Sequence, residues 1–234
     1  MLTYDVPVPI TGELPSANSM SSTIVPHGKH LQAMDATMTR GTTIAGVGGQ
    51  KPLRVRHIWL VTGPAGCGKT TVAQYLSKSL DLEYIEGDSY HPPANIEKMA
   101  NGTPLTDADR WDWLTLLREE SLKQLKSGAK GVVLTCSALK RKYRDVIRVA
   151  PYFSNDIHLH FIYLHAPEAV LLERVGLRQG HYMGANMVRS QFEILEPPTP
   201  DETDVISVDV SGPISGVLDV ALEQATEKIN EAVD

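Results

Sequence analysis

The sequence predicts an α/β domain in which a five-stranded parallel sheet carries helices on both faces. From His57 onward, short apolar runs alternate with segments of helical periodicity, the pattern of strands joined by crossover helices. The run Gly131–Thr135 is apolar without alternation, which is typical of a strand buried on both faces. A glycine-rich turn follows the first strand directly and opens a helix, as in doubly wound sheets. Ligands are then expected beyond the carboxyl ends of the strands.

The predicted elements follow one another in a regular order. Strands are predicted where apolar, β-branched and aromatic residues cluster, at residues 57–61, 82–85, 131–135, 159–164 and 204–208. Helices are predicted where apolar residues recur every three to four positions, as at Val72, Tyr75 and Leu76. These segments are residues 70–80, 94–100, 110–125, 138–148, 167–177, 187–195 and 214–233. At least one helix therefore follows each strand, and the crossovers can cover both faces of the sheet.

Residues 1–50 have a different character. Four prolines, a Ser- and Thr-containing run at residues 19–23 and the segment Gly46-Val47-Gly48-Gly49 interrupt any periodicity. We expect a flexible N-terminal extension that ends in a linker, followed by a globular domain over residues 51–234. A partner-binding or regulatory arm is the alternative for the extension.

Composition and charge narrow the class of protein. The 234 residues include 22 Lys and Arg against 28 Asp and Glu, so the net charge is −6. This negative charge argues against a nucleic-acid-binding protein, because such proteins need a basic face. The two cysteines are too few for a disulfide framework or a four-cysteine zinc site. No apolar run approaches the roughly 18 residues that span a bilayer, and no secretory signal is visible. We therefore expect a cytoplasmic protein that binds neither nucleic acid nor membranes.

The strongest motif is a phosphate-binding loop. Residues 63–70 match G-x-x-x-x-G-K-[ST] at every fixed position, between an apolar strand and a helix. The glycines let successive backbone N–H groups point at phosphate oxygens, and the helix N-terminus adds partial positive charge. Lys69 supplies an ammonium for the β- and γ-phosphates, and the Thr70 hydroxyl is placed to coordinate Mg²⁺. The predicted nucleotide contacts are Gly63, Pro64, Ala65, Gly66, Cys67, Gly68, Lys69, Thr70 and Thr71.

The acidic partner of this loop is predicted after the second strand. Many nucleotide hydrolases and switches end an apolar strand in an aspartate that holds the metal, but here the third strand ends in Thr135-Cys136-Ser137. Glu86 and Asp88 follow the second strand instead. A carboxylate there can orient Mg²⁺ or accept the proton of an attacking hydroxyl, so both residues are candidates for these roles, with Glu86 as the candidate metal ligand. A helix cap or turn is the alternative for Asp88.

Three arginines are candidate anion ligands. Arg110 stands at the start of a predicted helix and suits a carboxylate-bearing acceptor, unless it pairs with the neighbouring Asp107 or Asp109. Arg174 and Arg178 are four residues apart on one helical face and precede a loop-like segment. That spacing predicts a lid that brings guanidinium groups to the γ-phosphate, with a solvated basic helix face as the alternative.

Several blocks beyond the phosphate loop carry a family resemblance. They are Glu86-Gly87-Asp88-Ser89-Tyr90-His91-Pro92 and residues 95–99, 102–114, 136–145, 174–183 and 190–197. In this order the blocks resemble the gluconokinases over residues 57 to about 230. The phosphate loop is shared by many enzymes, whereas the other blocks in combination are specific.

The resemblance implies ATP-dependent, Mg²⁺-dependent phosphorylation of D-gluconate at its 6-hydroxyl, which feeds 6-phosphogluconate to the pentose phosphate route. It also implies a homodimer and a P-loop kinase domain over residues 51–234, with a mobile lid over about residues 174–190. The implied catalytic residues are Lys69, Asp88 and Arg178, with Asp88 as the base, and Arg174 joins the nucleotide contacts. The implied substrate contacts are Asp88, His91, Arg110, Ser137 and Lys140. For Arg110, the contact with the carboxylate rests on a looser analogy with shikimate kinases.

The sequence departs from the family pattern at the lid and at the N-terminus. Gly176 lies inside the arginine-bearing helix, where glycine costs about 1 kcal/mol relative to alanine, and it weakens the case for Arg174 relative to Arg178. Tyr182 replaces the usual phenylalanine, and the extension has no counterpart in the shortest members. Three rivals stay open: a shikimate-type or nucleoside monophosphate kinase, a non-catalytic ATP-binding regulator, and a nucleotide-bound scaffold that presents the extension.

Overall fold

The computed structural model describes residues 55–177 and 185–232, which form a sheet and the helices around it. The strands are β1 (Arg56–Thr62), β2 (Glu83–Ile85), β3 (Gly131–Thr135), β4 (Ile157–His165) and β5 (Val205–Asp209). The helices are α1 (Lys69–Leu80), α2 (Pro93–Ala100), α3 (Trp111–Lys126), α4 (Arg141–Arg148), α5 (Glu168–Gly176), α6 (Ala185–Glu193) and α7 (Ile214–Glu231). Short 3₁₀ turns occupy Gly87–Tyr90 and Ala150–Phe153.

The sheet has the strand order β2-β3-β1-β4-β5, and every neighbouring pair of strands is parallel. The five-stranded parallel sheet predicted from the sequence is therefore confirmed. β1 lies at the centre, where Leu60 is in register with Leu134 of β3 and Phe161 of β4. Because all strands run in one direction, the segments that follow β1, β2 and β3 meet at one edge of the sheet.

Alternate residues of the central strand supply two separate cores. On β1, Trp59 and Val61 pack into one core with residues of α1, α5 and α7, while Ile58 and Leu60 pack into the other with residues of α3 and α4. All four side chains are fully buried. Helices thus cover both faces of the sheet, as predicted, and for this reason the strand is apolar at every position.

One helix begins later than the sequence predicts. Residues 138–148 have helical spacing, but α4 begins at Arg141 because Ala138 has a φ of 35°, in the left-handed region, and Lys140 is extended. The segment between β3 and α4 therefore crosses the carboxyl edge of the sheet as a loop. At the other end of the domain, α5 stops at Gly176, where the low helix propensity of glycine favours a helix end.

Some of the sequence predictions concern residues outside the described part of the chain. The N-terminal extension, residues 1–50, lies wholly outside it, and so does the central part of the predicted lid, residues 178–184. The flexible extension, the domain boundary and the mobile lid therefore stay predictions. None of the helices within 55–177 and 185–232 combines the length and the apolar character needed to cross a membrane.

Candidate active site

The phosphate loop begins at the carboxyl end of β1 and ends in the first turn of α1. Its glycines adopt positive φ angles, 138° at Gly63, 84° at Gly66 and 95° at Gly68. At Gly63 a Cβ atom would lie 2.3 Å from the Leu164 carbonyl oxygen of β4, which leaves no room for a larger residue. The start of the loop is thus fixed by a close backbone approach to the neighbouring strand.

The Lys69 side chain folds back over this loop. Its Nζ donates hydrogen bonds to the carbonyl oxygens of Gly63 and Pro64, at 3.0 and 3.1 Å. These contacts keep the ammonium at the mouth of the loop. When a nucleotide binds, its phosphate oxygens can take the place of these carbonyl oxygens as acceptors. The hydrogen bonds from Lys69 then become charge-assisted and stronger.

A second contact to the loop comes from α6, and sequence reasoning missed it. The Gln191 Oε1 accepts a 2.7 Å hydrogen bond from the backbone N–H of Ala65, and Gln191 is buried. This bond ties α6 to the phosphate loop across 126 positions of sequence. The signal available in the sequence is the presence of Gln191 in the block 190–197 that carries the family resemblance.

Glu86 is held beside the loop by three hydroxyl groups. Thr70 Oγ1 donates to Glu86 Oε2 at 3.0 Å, the Tyr84 hydroxyl donates to the same oxygen, and Thr135 Oγ1 donates to Oε1. Burial and the hydrogen bond to Glu86 raise the pKa of Tyr84, so its phenol stays protonated and keeps donating. The structure thus brings Thr70 and Glu86, the two residues predicted to hold a metal, into direct contact.

The turn that carries Asp88 is fixed from two sides at Gly87. Its backbone N–H donates to Thr135 Oγ1 at 3.0 Å, and its carbonyl oxygen accepts a 2.8 Å hydrogen bond from Trp113 Nε1. A Cβ atom at Gly87 would lie 1.9 Å from the Thr135 carbonyl oxygen, so only glycine fits. Sequence reasoning gave Gly87, Thr135 and Trp113 no role in the site, yet they position its acidic turn.

Asp88 and Lys69 line the same cavity at the carboxyl edge of the sheet. The rest of its wall consists of His91, Met99, Leu105, Arg110, Trp113, Ser137, Met187 and Gln191. The Asp88 side chain is 49% exposed, and its Oδ1 lies 4.0 Å from His91 Nε2. Desolvation in the cleft and the charge of Glu86 raise the pKa of Asp88, although Lys69 opposes them. Its carboxylate is therefore a stronger proton acceptor than an aspartate in water.

His91 is a buried ring beside Asp88. It stacks on the indole of Trp113 with ring centroids 4.0 Å apart, and its side chain is 3% exposed. Burial and the charge of Arg110 lower the pKa of His91 to about 4, so the ring is neutral at pH 7. Within the described part of the chain its Nδ1 has no hydrogen-bond partner. An unpaired, buried polar atom in a cavity wall is available to a ligand.

Arg110 is buried at the start of α3, and its charge is not neutralised by its acidic neighbours. Asp107 and Asp109 form ion pairs with lysines, and neither pairs with Arg110 among the described residues. The Arg110 Nη1 donates instead to the carbonyl oxygens of Leu105 and Thr106. These bonds fix the guanidinium in the cavity wall, where it can meet the negative charge of a ligand.

The two other residues predicted to contact substrate are placed differently. Ser137 lines the cavity with Asp88, whereas Lys140 is not part of its wall. The Lys140 Nζ donates to Asp107 Oδ1 at 3.0 Å, and Lys142 and Tyr143 bind the same carboxylate. Hydrogen bonds from Lys142, Tyr143 and Lys140 lower the pKa of Asp107 and keep it ionised. Lys140 is thus occupied by an ion pair outside the cavity.

A second cavity, of about 290 Å³, lies on the β5 side of the phosphate loop. Its walls are Gly66, Cys67, Gly68, Thr71, Arg174, Val210, Gly212, Ile214 and Val217. Arg174 Nη2 donates to the Val210 carbonyl oxygen at 2.6 Å, which places Arg174 here and not beside Asp88. Arg178, the other arginine predicted to act from the lid, lies outside the described residues.

Two relatives and a solved structure to which this chain is similar are described as gluconokinases. A family model described as "AAA domain" matches residues 60–192. The chain is 48% identical over 177 residues to a probable gluconokinase of Schizosaccharomyces pombe, covering 75% of this chain and 91% of that protein. It is 39% identical over 167 residues to the thermoresistant gluconokinase of Escherichia coli, covering 71% and 92%. A crystal structure of a gluconokinase from Sinorhizobium meliloti superposes with a TM-score of 0.67 at 37% identity, covering 77% and 97%.

Proposed function

The chain belongs to the gluconokinase family of P-loop kinases and phosphorylates gluconate with ATP, and on this premise we propose a role in the reaction for each residue of the site. Asp88 accepts the proton of the 6-hydroxyl as that oxygen bonds to the γ-phosphorus and the bond to the leaving ADP oxygen breaks. Lys69 and the backbone N–H groups of the phosphate loop neutralise charge on the phosphates. Arg110 holds the carboxylate at the far end of the sugar acid.

One observation carries this proposal: Asp88, Lys69 and Arg110 line a single cavity beside the phosphate loop. A base, a phosphate-binding cation and a carboxylate-binding cation are the groups that transfer to a sugar acid needs. The raised pKa of Asp88 supports its role as the base. The reaction depends on positioning and charge neutralisation, so no covalent nucleophile is required.

The surroundings of Glu86 fit a magnesium ion. Thr70 uses its hydroxyl hydrogen to bind Glu86, which leaves the oxygen lone pairs available to a cation. Oxygen ligands of this kind, with a carboxylate beside them, are the donors that Mg²⁺ prefers. We propose that Thr70 and Glu86 hold the ion, which when bound neutralises charge on the β- and γ-phosphates.

His91 and Ser137 are proposed to orient the sugar chain between Arg110 and Asp88. The unpaired Nδ1 of a neutral His91 can donate a hydrogen bond to a sugar hydroxyl or accept one from it, depending on the tautomer of the ring. Ser137 contributes a second hydroxyl from the cavity wall. A contact between Lys140 and gluconate, which the resemblance implies, requires the ion pair with Asp107 to open.

The second cavity is proposed to hold the nucleoside part of ATP. It borders the phosphate loop, and Val210, Ile214 and Val217 give it apolar surface that suits a base. Arg174 lies at its edge, which supports its predicted contact with the nucleotide. That Arg178 reaches the γ-phosphate when the lid closes stays a prediction.

A coupled assay of ADP release tests the function directly. We expect turnover with gluconate, and little with shikimate or nucleoside monophosphates offered at the same concentration. The comparisons do not favour the rival kinases or a non-catalytic regulator. Turnover on shikimate or a nucleotide without turnover on gluconate would overturn the proposal, and ATP binding with no acceptor at all would indicate the regulator.

Replacing Arg110 with lysine is expected to raise the KM for gluconate by about 10-fold or more, because a charge-assisted pair of hydrogen bonds contributes roughly 1.5–3 kcal/mol. The KM for ATP should change little, since Arg110 lines the cavity of Asp88 and not that of Arg174. Steady-state kinetics with each substrate varied separately provides the measurement. Arg118→Lys on the same helix is the matched control. An unchanged KM for gluconate removes Arg110 from the substrate site.

Three further expectations stay predictions: the homodimer, the cytoplasmic location and the flexible extension. Deletion of residues 1–50 is expected to leave kcat unchanged if the extension lies outside the kinase domain. Light scattering on the intact and the shortened chain would report the oligomeric state of both. We propose that the product, 6-phosphogluconate, enters the pentose phosphate route.

A further inference from the structure

Three histidines form a cluster at the amino ends of β1 and β4. His57 on β1 is in register with His158 on β4, and His160 lies two residues further along that strand in register with Trp59. All three side chains therefore lie on one face of the sheet. His57 lies five residues of β1, or roughly 16 Å, before Thr62 and the phosphate loop, and His160 is in register three residues before Thr62. None of these histidines takes part in the proposed transfer.

The spacing of the imidazole nitrogens suits a metal ion. One nitrogen from each ring lies within 4.8 Å of the other two. His57 Nδ1 and His160 Nε2 share a hydrogen bond of 3.1 Å, which a bound ion would replace. Two nitrogens bound to one tetrahedral zinc ion at 2.0–2.1 Å lie roughly 3.3 Å apart, so this pair already has the required separation. The His158 nitrogen, within 4.8 Å of the other two, has to move closer to them to complete the set.

We propose that His57, His158 and His160 bind one divalent transition-metal ion, with Zn²⁺ as its representative. Imidazole nitrogen is a preferred ligand of zinc, copper and nickel, and three histidines with one open position are a recognised zinc-binding set. The ion would join the two central strands β1 and β4 at the edge of the sheet opposite the phosphate loop. It would therefore stabilise the fold and take no part in phosphoryl transfer.

The scaffold around the cluster limits the movement of the rings. The indole of Trp59 stacks on His160 with ring centroids 4.4 Å apart. Next to the cluster, an ion pair of 2.6 Å joins Arg56 of β1 to Asp156, the residue directly before β4. Rings that are already ordered lose little conformational entropy when they bind an ion.

Two charged groups of other segments lie near His160. They are Lys228 on α7 and Asp204, which directly precedes β5. Lys228 forms a 2.7 Å ion pair with Glu231, which offsets part of its repulsion of a bound cation.

Titration of the untagged, EDTA-treated full chain with Zn²⁺, in buffer without nucleotide, tests the proposal. We expect one ion per chain by calorimetry and a higher Tm at saturation. Cu²⁺ in place of Zn²⁺ is expected to quench the fluorescence of Trp59, and Trp59→Phe should remove that part of the quenching. His158→Asn and His160→Asn are each expected to weaken Zn²⁺ binding at least 10-fold.

The control variant is His165→Asn, at the opposite end of the same strand, which should bind Zn²⁺ like the unchanged chain. Gluconate kinase activity and far-UV circular dichroism establish that each variant is folded, and His158 is the informative position because it reaches the surface. Equal Zn²⁺ affinity in His158→Asn, His160→Asn and the unchanged chain would overturn the proposal. Failure of the unchanged chain to bind Zn²⁺ would also overturn the metal-site proposal, and it would leave the proposed kinase function standing.

Discussion

Replacement of Asp88 with asparagine is expected to lower kcat for gluconate phosphorylation by about 10²–10⁴-fold, the usual contribution of a general base. Asparagine keeps the shape of the side chain but cannot accept the proton of the 6-hydroxyl. The affinity for ATP should change little, because the phosphates are held by the loop and Lys69. Steady-state kinetics, together with ATP binding measured by calorimetry, separates the two effects.

The pH profile gives a second readout of the same residue. The proposed base must be ionised, so kcat/KM should fall as the pH falls through the pKa of Asp88, which lies above the ordinary aspartate value of about 3.9. In Asp88→Asn this acid limb should disappear. Asp112→Asn, an exposed position in the first turn of α3, is the matched control and should keep it. A variant at Asp88 that retains both kcat and the acid limb would exclude this residue as the base.

Replacement of Lys69 with methionine is expected to reduce kcat by about 10³-fold, since it removes a preorganised cation from the phosphates where charge develops. Methionine preserves most of the length and apolar surface of the lysine stem. The loss of the hydrogen bonds to Gly63 and Pro64 should also loosen the loop, so the affinity for ATP is expected to fall as well. Turnover and nucleotide binding are measured in parallel.

Lys78 provides the control for this variant. It lies exposed in the last turn of the same helix, α1, far along the helix from the loop. Lys78→Met should keep the kinetic constants of the unchanged enzyme and alter stability by less than about 1 kcal/mol. Near-normal kcat in Lys69→Met would contradict the assignment of the phosphate loop as the ATP site.

The sequence predicts the strands and the phosphate loop well because both depend on neighbours in the chain. Residues 63–70 form one contiguous motif, and β3 is recognisable from five consecutive apolar or small residues. The start of α4 was predicted three residues early, because helical spacing in the sequence does not reveal the left-handed backbone at Ala138. The gluconokinase family is likewise recognisable from contiguous blocks of sequence.

Placement of the arginines and lysines required the tertiary structure. The sequence left open whether Arg110 pairs with Asp107 or Asp109, and the fold supplies lysines from other segments for both aspartates. Lys140 and Arg174 are drawn into contacts outside the Asp88 cavity by groups 33 and 36 positions away in the chain. Long, flexible side chains choose partners by proximity in space, and sequence spacing carries little information about that.

The amino-acid sequence by itself determined the parallel α/β architecture, the nucleotide loop and the family, because apolar periodicity and contiguous motifs are local properties. Only the tertiary structure decided that Gln191 holds the phosphate loop, that Thr135 and Trp113 fix the turn at Gly87, and which charges pair across the site. The tertiary structure also brings His57, His158 and His160 together. These contacts depend on strand register and helix docking, and the hydrogen bonds of Gln191, Thr135 and Trp113 alone join residues from 26 to 126 positions apart.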